Sequence, residues 1–204
     1  MNFIRSRKST ILLGVLIAAS LTIYFSFSLH FFPAFYMSKP LLSKAVPVIT
    51  NVKISASEVS LGKSFNISVT SNNQGDTADI QIVSISFPNL TSIDNNDNVA
   101  IKNHNFLQKP EFVKTGDEIG SKYSGLSKVT SAKYPSIEFS SRPWKTDAVY
   151  KARIEIKPPA VGKFVIFIKA VSLPHNNEIS HYPRTGIKDY QEEFVEAYYV
   201  NVKD

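Results

Sequence analysis

Tyr150-Lys151-Ala152-Arg153-Ile154-Glu155-Ile156-Lys157 alternates apolar or small residues with charged ones. After the turn Pro158-Pro159-Ala160-Val161-Gly162 comes Phe164-Val165-Ile166-Phe167-Ile168-Lys169-Ala170-Val171. A period of two puts one set of side chains in a core and the other in water, so the first stretch is a half-buried strand. The second is apolar on both faces, as a strand in the middle of a sheet must be.

Working outward, Phe65, Ile67 and Val69 alternate with Ser64, Asn66, Ser68 and Thr70, and Val52 and Ile54 alternate with Lys53 and Ser55. Phe194–Val202 is rich in aromatic and β-branched residues and reads as a last strand. In Ile80, Ile82, Val83, Ile85 and Phe87 the apolar phase slips at Val83, which predicts a bulge or a strand crossing between sheets. Turn chemistry separates these runs at Leu61-Gly62-Lys63 and Asn72-Asn73-Gln74-Gly75-Asp76. Between Pro88 and Asp147 only fragments appear: Val99–Ile101, Phe112-Val113, Ile119–Tyr123 and Ile137–Phe139. A compact domain seldom carries so long a structureless loop, so two or three short edge strands are expected there. Helical periodicity is nearly absent after residue 40. The fold class is therefore mainly β, an antiparallel β-sandwich over residues 47–204.

The first 37 residues differ in kind. A basic tail over residues 1–10 holds Arg5, Arg7 and Lys8, and Ile11 to Leu29 contains no charge. That run spans roughly 28 Å as a helix, close to the thickness of a bilayer core. Ala18-Ala19-Ser20 is the one candidate cleavage site, but Leu21–Phe32 beyond it stays strongly apolar. An uncleaved signal-anchor over 11–37 fits better than a removed signal peptide. Phe31, Phe32, Phe35 and Tyr36 form an aromatic belt beside Pro33. Three cations precede the run and two, Lys39 and Lys44, follow it, so the positive-inside tendency keeps the tail cytoplasmic and puts the body outside. Residues 38–46 are a linker.

Charge and cysteine content exclude several functions. The 204 residues carry 23 Lys and Arg against 17 Asp and Glu, yet residues 1–45 hold five of the cations and no acid. The body is thus balanced at 18 against 17, and nucleic acid is not an expected partner. With no cysteine, disulfide scaffolds, thiol catalysis, Cys-ligated zinc and iron–sulfur clusters are ruled out. No Ser–His–Asp grouping or glycine-rich phosphate cradle is present, so neither catalysis nor a cofactor is expected.

A few loops offer binding chemistry. His175, Glu178 and His181 put two imidazoles and a carboxylate in one loop, a ligand set for zinc or copper; the alternative is a solvated polar loop. His104 is the other histidine of the body. Asp94–Asn98 places oxygen ligands at alternating positions but lacks the glycine and glutamate of a calcium loop, so an Asx-rich turn fits it better. Trp144, Tyr182, Arg184 and Tyr190 combine aromatic and basic groups suited to a glycan or protein partner, against the alternative that Trp144 is the core tryptophan. Asn66-Ile67-Ser68 and Asn89-Leu90-Thr91 match the N-glycosylation acceptor pattern.

The stretch Pro47–Asp79, with Val59-Ser60-Leu61-Gly62 before a strand and Asn73-Gln74-Gly75-Asp76 at the next turn, resembles the opening of immunoglobulin-like, CARDB-like modules of archaeal and bacterial surface proteins. Pro158–Phe164 is similar to the approach to their penultimate strand. Anchor and module together resemble membrane-tethered proteins of ammonia-oxidising archaea. The resemblance implies a sandwich whose N-terminal end carries the loops Asn72–Thr77 and Leu173–Gln191, turned toward a bilayer or a neighbouring membrane protein. The function expected is a non-catalytic, membrane-anchored binding or scaffolding module with a protein partner in or on the membrane. The alternatives are an ancillary subunit of a membrane enzyme complex and a His-loop metal-binding protein.

Overall fold

The structure is a computed structural model that describes residues 15–21, 24, 44–93, 98–119, 130–173 and 179–204. Residues 15–21 and 24 are helical. The rest of the expected anchor at 11–37 lies outside the described residues, and among those described no helix is long and apolar enough to cross a membrane. The chain divides into two units, 1–43 and 44–204, and the second is the β body.

Two sheets form that body. Strands β1 (Pro47–Ile54), β3 (Phe65–Asn73), β10 (Val149–Ile156) and β5 (Val99–His104) make a four-stranded sheet in the order β1-β3-β10-β5. The larger sheet runs β13 (Ile187–Lys188), β14 (Phe194–Lys203), β11 (Gly162–Leu173), β4 (Ile80–Ser86), β9 (Ser136–Ser141) and β6 (Glu111–Val113). β12 (Ser180–Tyr182) pairs with β11, and β2 (Glu58–Ser60) pairs with β14. β7 (Glu118–Ile119) and β8 (Thr130–Ser131) form a separate hairpin. Strands β1, β3, β10 and β5 take the A, B, E and D places of an immunoglobulin sandwich, and β4, β11 and β14 take C, F and G. In chain order, however, β5 precedes β9 rather than following it.

The alternation seen in the sequence makes the core. Phe65, Ile67, Val69, Ala152, Ile154 and Ile156 from one sheet meet Phe164, Ile166, Ile168, Val83, Ile85 and Val200 from the other in one buried cluster. Phe65 and Phe164 touch edge to face across it, their ring centroids 6.0 Å apart. Each such side chain contributes ~1.5–3 kcal/mol, which is how a cysteine-free body of this size holds.

Three features depart from the sequence expectation. β4 carries no bulge at Val83: its register with β11 and β9 is unbroken. The apolar phase changes because both faces are covered, Val83 and Ile85 by the main core and Ile80 and Ile82 by a second cluster with Leu173. The bulge sits in β1 between Ile49 and Asn51, and lets Ile49 and Val52 both face inward. β2 leaves the first sheet and pairs parallel with the last strand, Val59 opposite Val202. In the Pro88–Asp147 stretch β5 and β6 are edge strands as expected, whereas β9 lies inside the larger sheet between β4 and β6.

Lys44–Val46 belong to the body. Gln74 N donates to Val46 O (2.9 Å) and Asp76 N to Lys44 O (3.2 Å). The buried Asn73 amide accepts from Val46 N at 2.9 Å and donates to Trp144 O at 3.3 Å. The N-terminal end of the body therefore carries the β3–β4 turn, as the immunoglobulin resemblance implies, but Asn73 is fully buried in it.

Candidate functional site

β11 places Phe164, Ile166, Ile168 and Ala170 in the core, which forces Phe167, Lys169 and Val171 onto the opposite face of the larger sheet. Next to them on β4 stand Ile82, Ser84 and Ser86, and beyond on β9 Ser136 and Glu138. The central row is therefore low, small serines flanked by Phe167 and Lys169 on one side and Glu138 on the other, which makes a trough along the sheet.

Residues 179–193 roof that trough. β12 pairs with the C-terminal half of β11 where β14 has splayed away, and β13 pairs with the start of β14. Asp189 organises the loop between: its Oδ1 accepts from Gln191 N (2.8 Å) and Glu193 N (3.2 Å), while Oδ2 accepts from Lys169 Nζ at 2.7 Å. Lys169 also donates to Gln191 Oε1 (2.7 Å) and Glu193 Oε2 (2.5 Å). Glu192 turns the loop with a left-handed φ of 64°. Tyr134 and Tyr190 meet edge to face at 5.2 Å, and Tyr134 leans on Phe167 at 6.2 Å. Ile119 from β7 borders one side, and the cleft, partly open to solvent, holds about 420 Å3.

Electrostatically the centre is a buried cation with two carboxylates. The Lys169 side chain is 11% exposed, Asp189 5% and Glu193 33%. Burial alone would pull the ammonium's pKa down, but the Glu193 charge and the hydrogen bonds to Asp189 and Glu193 outweigh it, holding the pKa above 10.5. Held by three acceptors, the ammonium pins the roof to the sheet. Burial also raises the pKa of the Tyr190 phenol; its hydrogen bond to the Lys133 backbone and the Lys169 charge oppose that, and the Asp189 and Glu193 charges reinforce it.

The residues singled out from sequence separate. Tyr190 lines the cleft. Tyr182 points between the sheets instead, its hydroxyl donating to Glu196 Oε1 at 2.8 Å while Tyr198 donates to Oε2 at 2.6 Å. Burial first, then the Glu196 carboxylate, pushes the Tyr182 pKa up to about 12 and that of Tyr198 higher still. Arg184 is exposed in the turn after β12 and shares a second, shallower concavity with Lys44 and His181.

Trp144 is not a surface platform. It is fully buried, its backbone pairs with Ala78, its Nε1 donates to Ala148 O at 2.9 Å, and it packs edge to face on Phe106 and Tyr150. A tryptophan on an irregular segment between β9 and β10 falls into the core because that segment crosses the end of the sandwich.

His175 and Glu178 lie outside the described residues, as does 94–97 of the asparagine-rich turn. His181 sits on β12 with Nδ1 3.9 Å from Glu193 Oε1. His104 is on the other sheet, against Phe106 and Phe139. Among the described residues no three His, Asp or Glu side chains are grouped to hold a metal ion. Asn66 faces outward on β3, and Asn89 is exposed with its Oδ1 accepting from Val165 N at 2.6 Å. The signal for the cleft was present in the sequence as one charged residue, Lys169, in an apolar central strand, followed by the acid-rich Asp189–Glu193; a buried charge in a strand must find partners.

A scan against protein-family models finds no match, and a search of curated proteins finds none either. Among solved structures, the chain is similar to a cohesin module from a Clostridium perfringens family 33 glycoside hydrolase, at 10% identity and a TM-score of 0.36, over 79% of this chain and 98% of that one. It is also similar to a protein from Corynebacterium diphtheriae taken to be membrane anchored, at 14% identity and 0.36, over 80% of this chain and 36% of that one. A PapD-like domain of human CEP192 matches at 14% identity and 0.27, over 76% of this chain and 85% of that one.

Proposed function

We propose that the chain is a membrane-anchored, extracytoplasmic module that binds or scaffolds other surface components through the cleft on its larger sheet and carries out no catalysis. The observation that carries this reading is the roofed trough itself: a sheet face with apolar residues, two tyrosines and ordered polar groups, enclosed by a loop that Lys169 pins in place. The lysine is committed to holding that loop, so the site is preorganised for binding. The uncharged run Ile11–Leu29 supports the tether, with the body outside the cytoplasm. The test joins protease accessibility in intact cells with pull-down from mild detergent, comparing the wild type with Tyr190→Ala. External protection from added protease, or capture unchanged by the cleft variant, defeats the proposal.

A second reading, an ancillary subunit docked on a membrane enzyme complex, is favoured by one feature: the concavity lined by Lys44, His181 and Arg184 lies where the chain joins the body. It requires a stoichiometric integral-membrane partner in the same pull-down, lost on Arg184→Glu.

A further inference from the structure

The outer face of the four-stranded sheet lies on the far side of the core from the cleft and contributes nothing to it. Strand register sets out its side chains in rows. One row runs Lys53 of β1, Ser68 of β3, Arg153 of β10 and Asn103 of β5. The row to one side holds Asn51, Thr70 and Lys151, and the row to the other holds Asn66, Glu155 and Ala100. Lys102 stands at the irregularity in β5 and pairs with Glu155 at 3.1 Å.

Four cations therefore share this face with one carboxylate, whereas the other fourteen cations of residues 46–204 stand against sixteen acids. Among the described residues Lys53, Lys151 and Arg153 have no ion-pair partner, while Lys169, Lys188 and Lys203 of the larger sheet each have one. Lys151 and Arg153 are two residues apart on one strand, roughly 7 Å, and Lys53 is two strands from Arg153, roughly 10 Å. These three exposed cations surround the half-buried hydroxyls of Ser68 and Thr70.

The uncharged side chains narrow the partner. Apart from Ala100 the rows offer hydroxyls and amides, with no aromatic among them, and Val149 at the start of β10 is the large apolar residue exposed beside them. A small molecule needs a concave site, which an open sheet surface is not. A protein partner needs buried aromatic or apolar anchors, a lipid surface needs apolar side chains to enter it, and single-stranded nucleic acid needs rings to stack on. Cations interleaved with hydroxyls and amides suit an extended polymer that carries both carboxylates and many hydroxyls.

We propose that this face is a second binding surface and takes an acidic polysaccharide. Lys53, Lys151 and Arg153 receive sugar carboxylates, and Ser68, Thr70, Asn51 and Asn103 exchange hydrogen bonds with ring hydroxyls. The surface is separate from the cleft and does not rest on the reading of it.

The experiment measures binding of the full chain in mild detergent to immobilised polygalacturonate, a linear polymer with a carboxylate on each sugar. The protein is made in a bacterium that lacks N-glycosylation, so that Asn66 stays bare. Methyl-esterified polygalacturonate, polyacrylate, phosphatidylglycerol vesicles and duplex DNA are tested beside it. Binding to polygalacturonate should be the tightest, and Lys53→Gln/Lys151→Gln/Arg153→Gln should weaken it at least about tenfold, because three exposed ion pairs go together. If Trp144 fluorescence in urea shows that variant to be unfolded, each single substitution should still cost about twofold. Lys109→Gln/Lys133→Gln/Lys145→Gln, which removes as many exposed charges elsewhere, should change binding by less than about twofold. Ser68→Ala/Thr70→Ala keeps every charge and should weaken binding at least about threefold. Tyr190→Ala should bind as the wild type does.

Equal binding of the esterified polymer, or equal losses in the two triple variants, overturns the proposal. So does polyacrylate held as tightly as polygalacturonate, or a Ser68→Ala/Thr70→Ala variant that binds like wild type, since the face then reads charge without sugar. Binding confined to the vesicles or to DNA overturns it by making lipid or nucleic acid the partner. A loss in Tyr190→Ala as large as in the Lys53 triple variant would put the polymer in the cleft and overturn it too.

Discussion

Replacing Lys169 by methionine keeps the length of the side chain and removes its charge. What remains is Asp189, whose side chain is 5% exposed and still accepts from the Gln191 and Glu193 amides, and Glu193, which is 33% exposed. Leaving one partner of a buried ion pair uncompensated costs ~3–5 kcal/mol. Glu193 is accessible enough for water to screen it, so the lower end applies, about 3 kcal/mol. At ~2–4 °C per kcal/mol for a body of this size, the melting temperature should drop by ~6–12 °C. Trp144 is the chain's one tryptophan and is fully buried, so its fluorescence reports unfolding in urea directly. Combining Lys169→Met with Asp189→Asn should cost less than the two separate losses together by at least ~1 kcal/mol, because the second change removes the orphaned charge. The folded pKa of Lys169 is raised, so its stabilisation is complete below 10.5 and disappears as pH climbs through the folded value. Wild type should therefore lose stability in that alkaline window, and the methionine variant should lack this component of the loss. A cost under ~1 kcal/mol, or strict additivity within ~0.5 kcal/mol, refutes the idea that this lysine pins the roof.

Other perturbations test the joint between the N-terminal end of the body and its core. A Cβ at Gly75 would stand 2.6 Å from Val46 N and closer still to Lys44 O, so Gly75→Ala should free Lys44–Val46 and speed hydrogen exchange at the Gln74 amide at least tenfold. Unchanged exchange there counts against the close approach. Asn73→Ala removes a fully buried amide that serves Val46 N and Gly75 N, leaving both without their acceptor; ~2–4 kcal/mol should be lost in the same urea assay. At Glu196, the raised phenol pKa values of Tyr182 and Tyr198 mean stability that holds below about 10 and fades as pH rises toward 12. Glu196→Gln should bring both phenols to titrate earlier in an ultraviolet absorbance titration, and identical curves would show that the carboxylate is not what delays them.

How legible this was differs from element to element. Phe65–Asn73, Val149–Ile156 and Phe194–Lys203 could be read from alternation because each has one wet and one dry face, and a period of two records that difference. β4 could not, since Ile80 and Ile82 are covered as well, and a strand buried on both sides has no phase to read. Trp144 was ambiguous until the end of the sandwich closed over it. Lys169 and Asp189 are 20 residues apart in the chain, and no local pattern links them.

Local residue order determined that this chain has an apolar N-terminal run and a strand-built, cysteine-free body with balanced charge, because hydropathy and side-chain alternation act over a few neighbours. Tertiary structure alone decided that β12 and the Asp189–Glu193 loop roof the outer face of β11, and that Lys53, Lys102, Lys151 and Arg153 share the outer face of the four-stranded sheet. Both depend on which strands lie side by side, and that is settled by the packing of the whole sandwich.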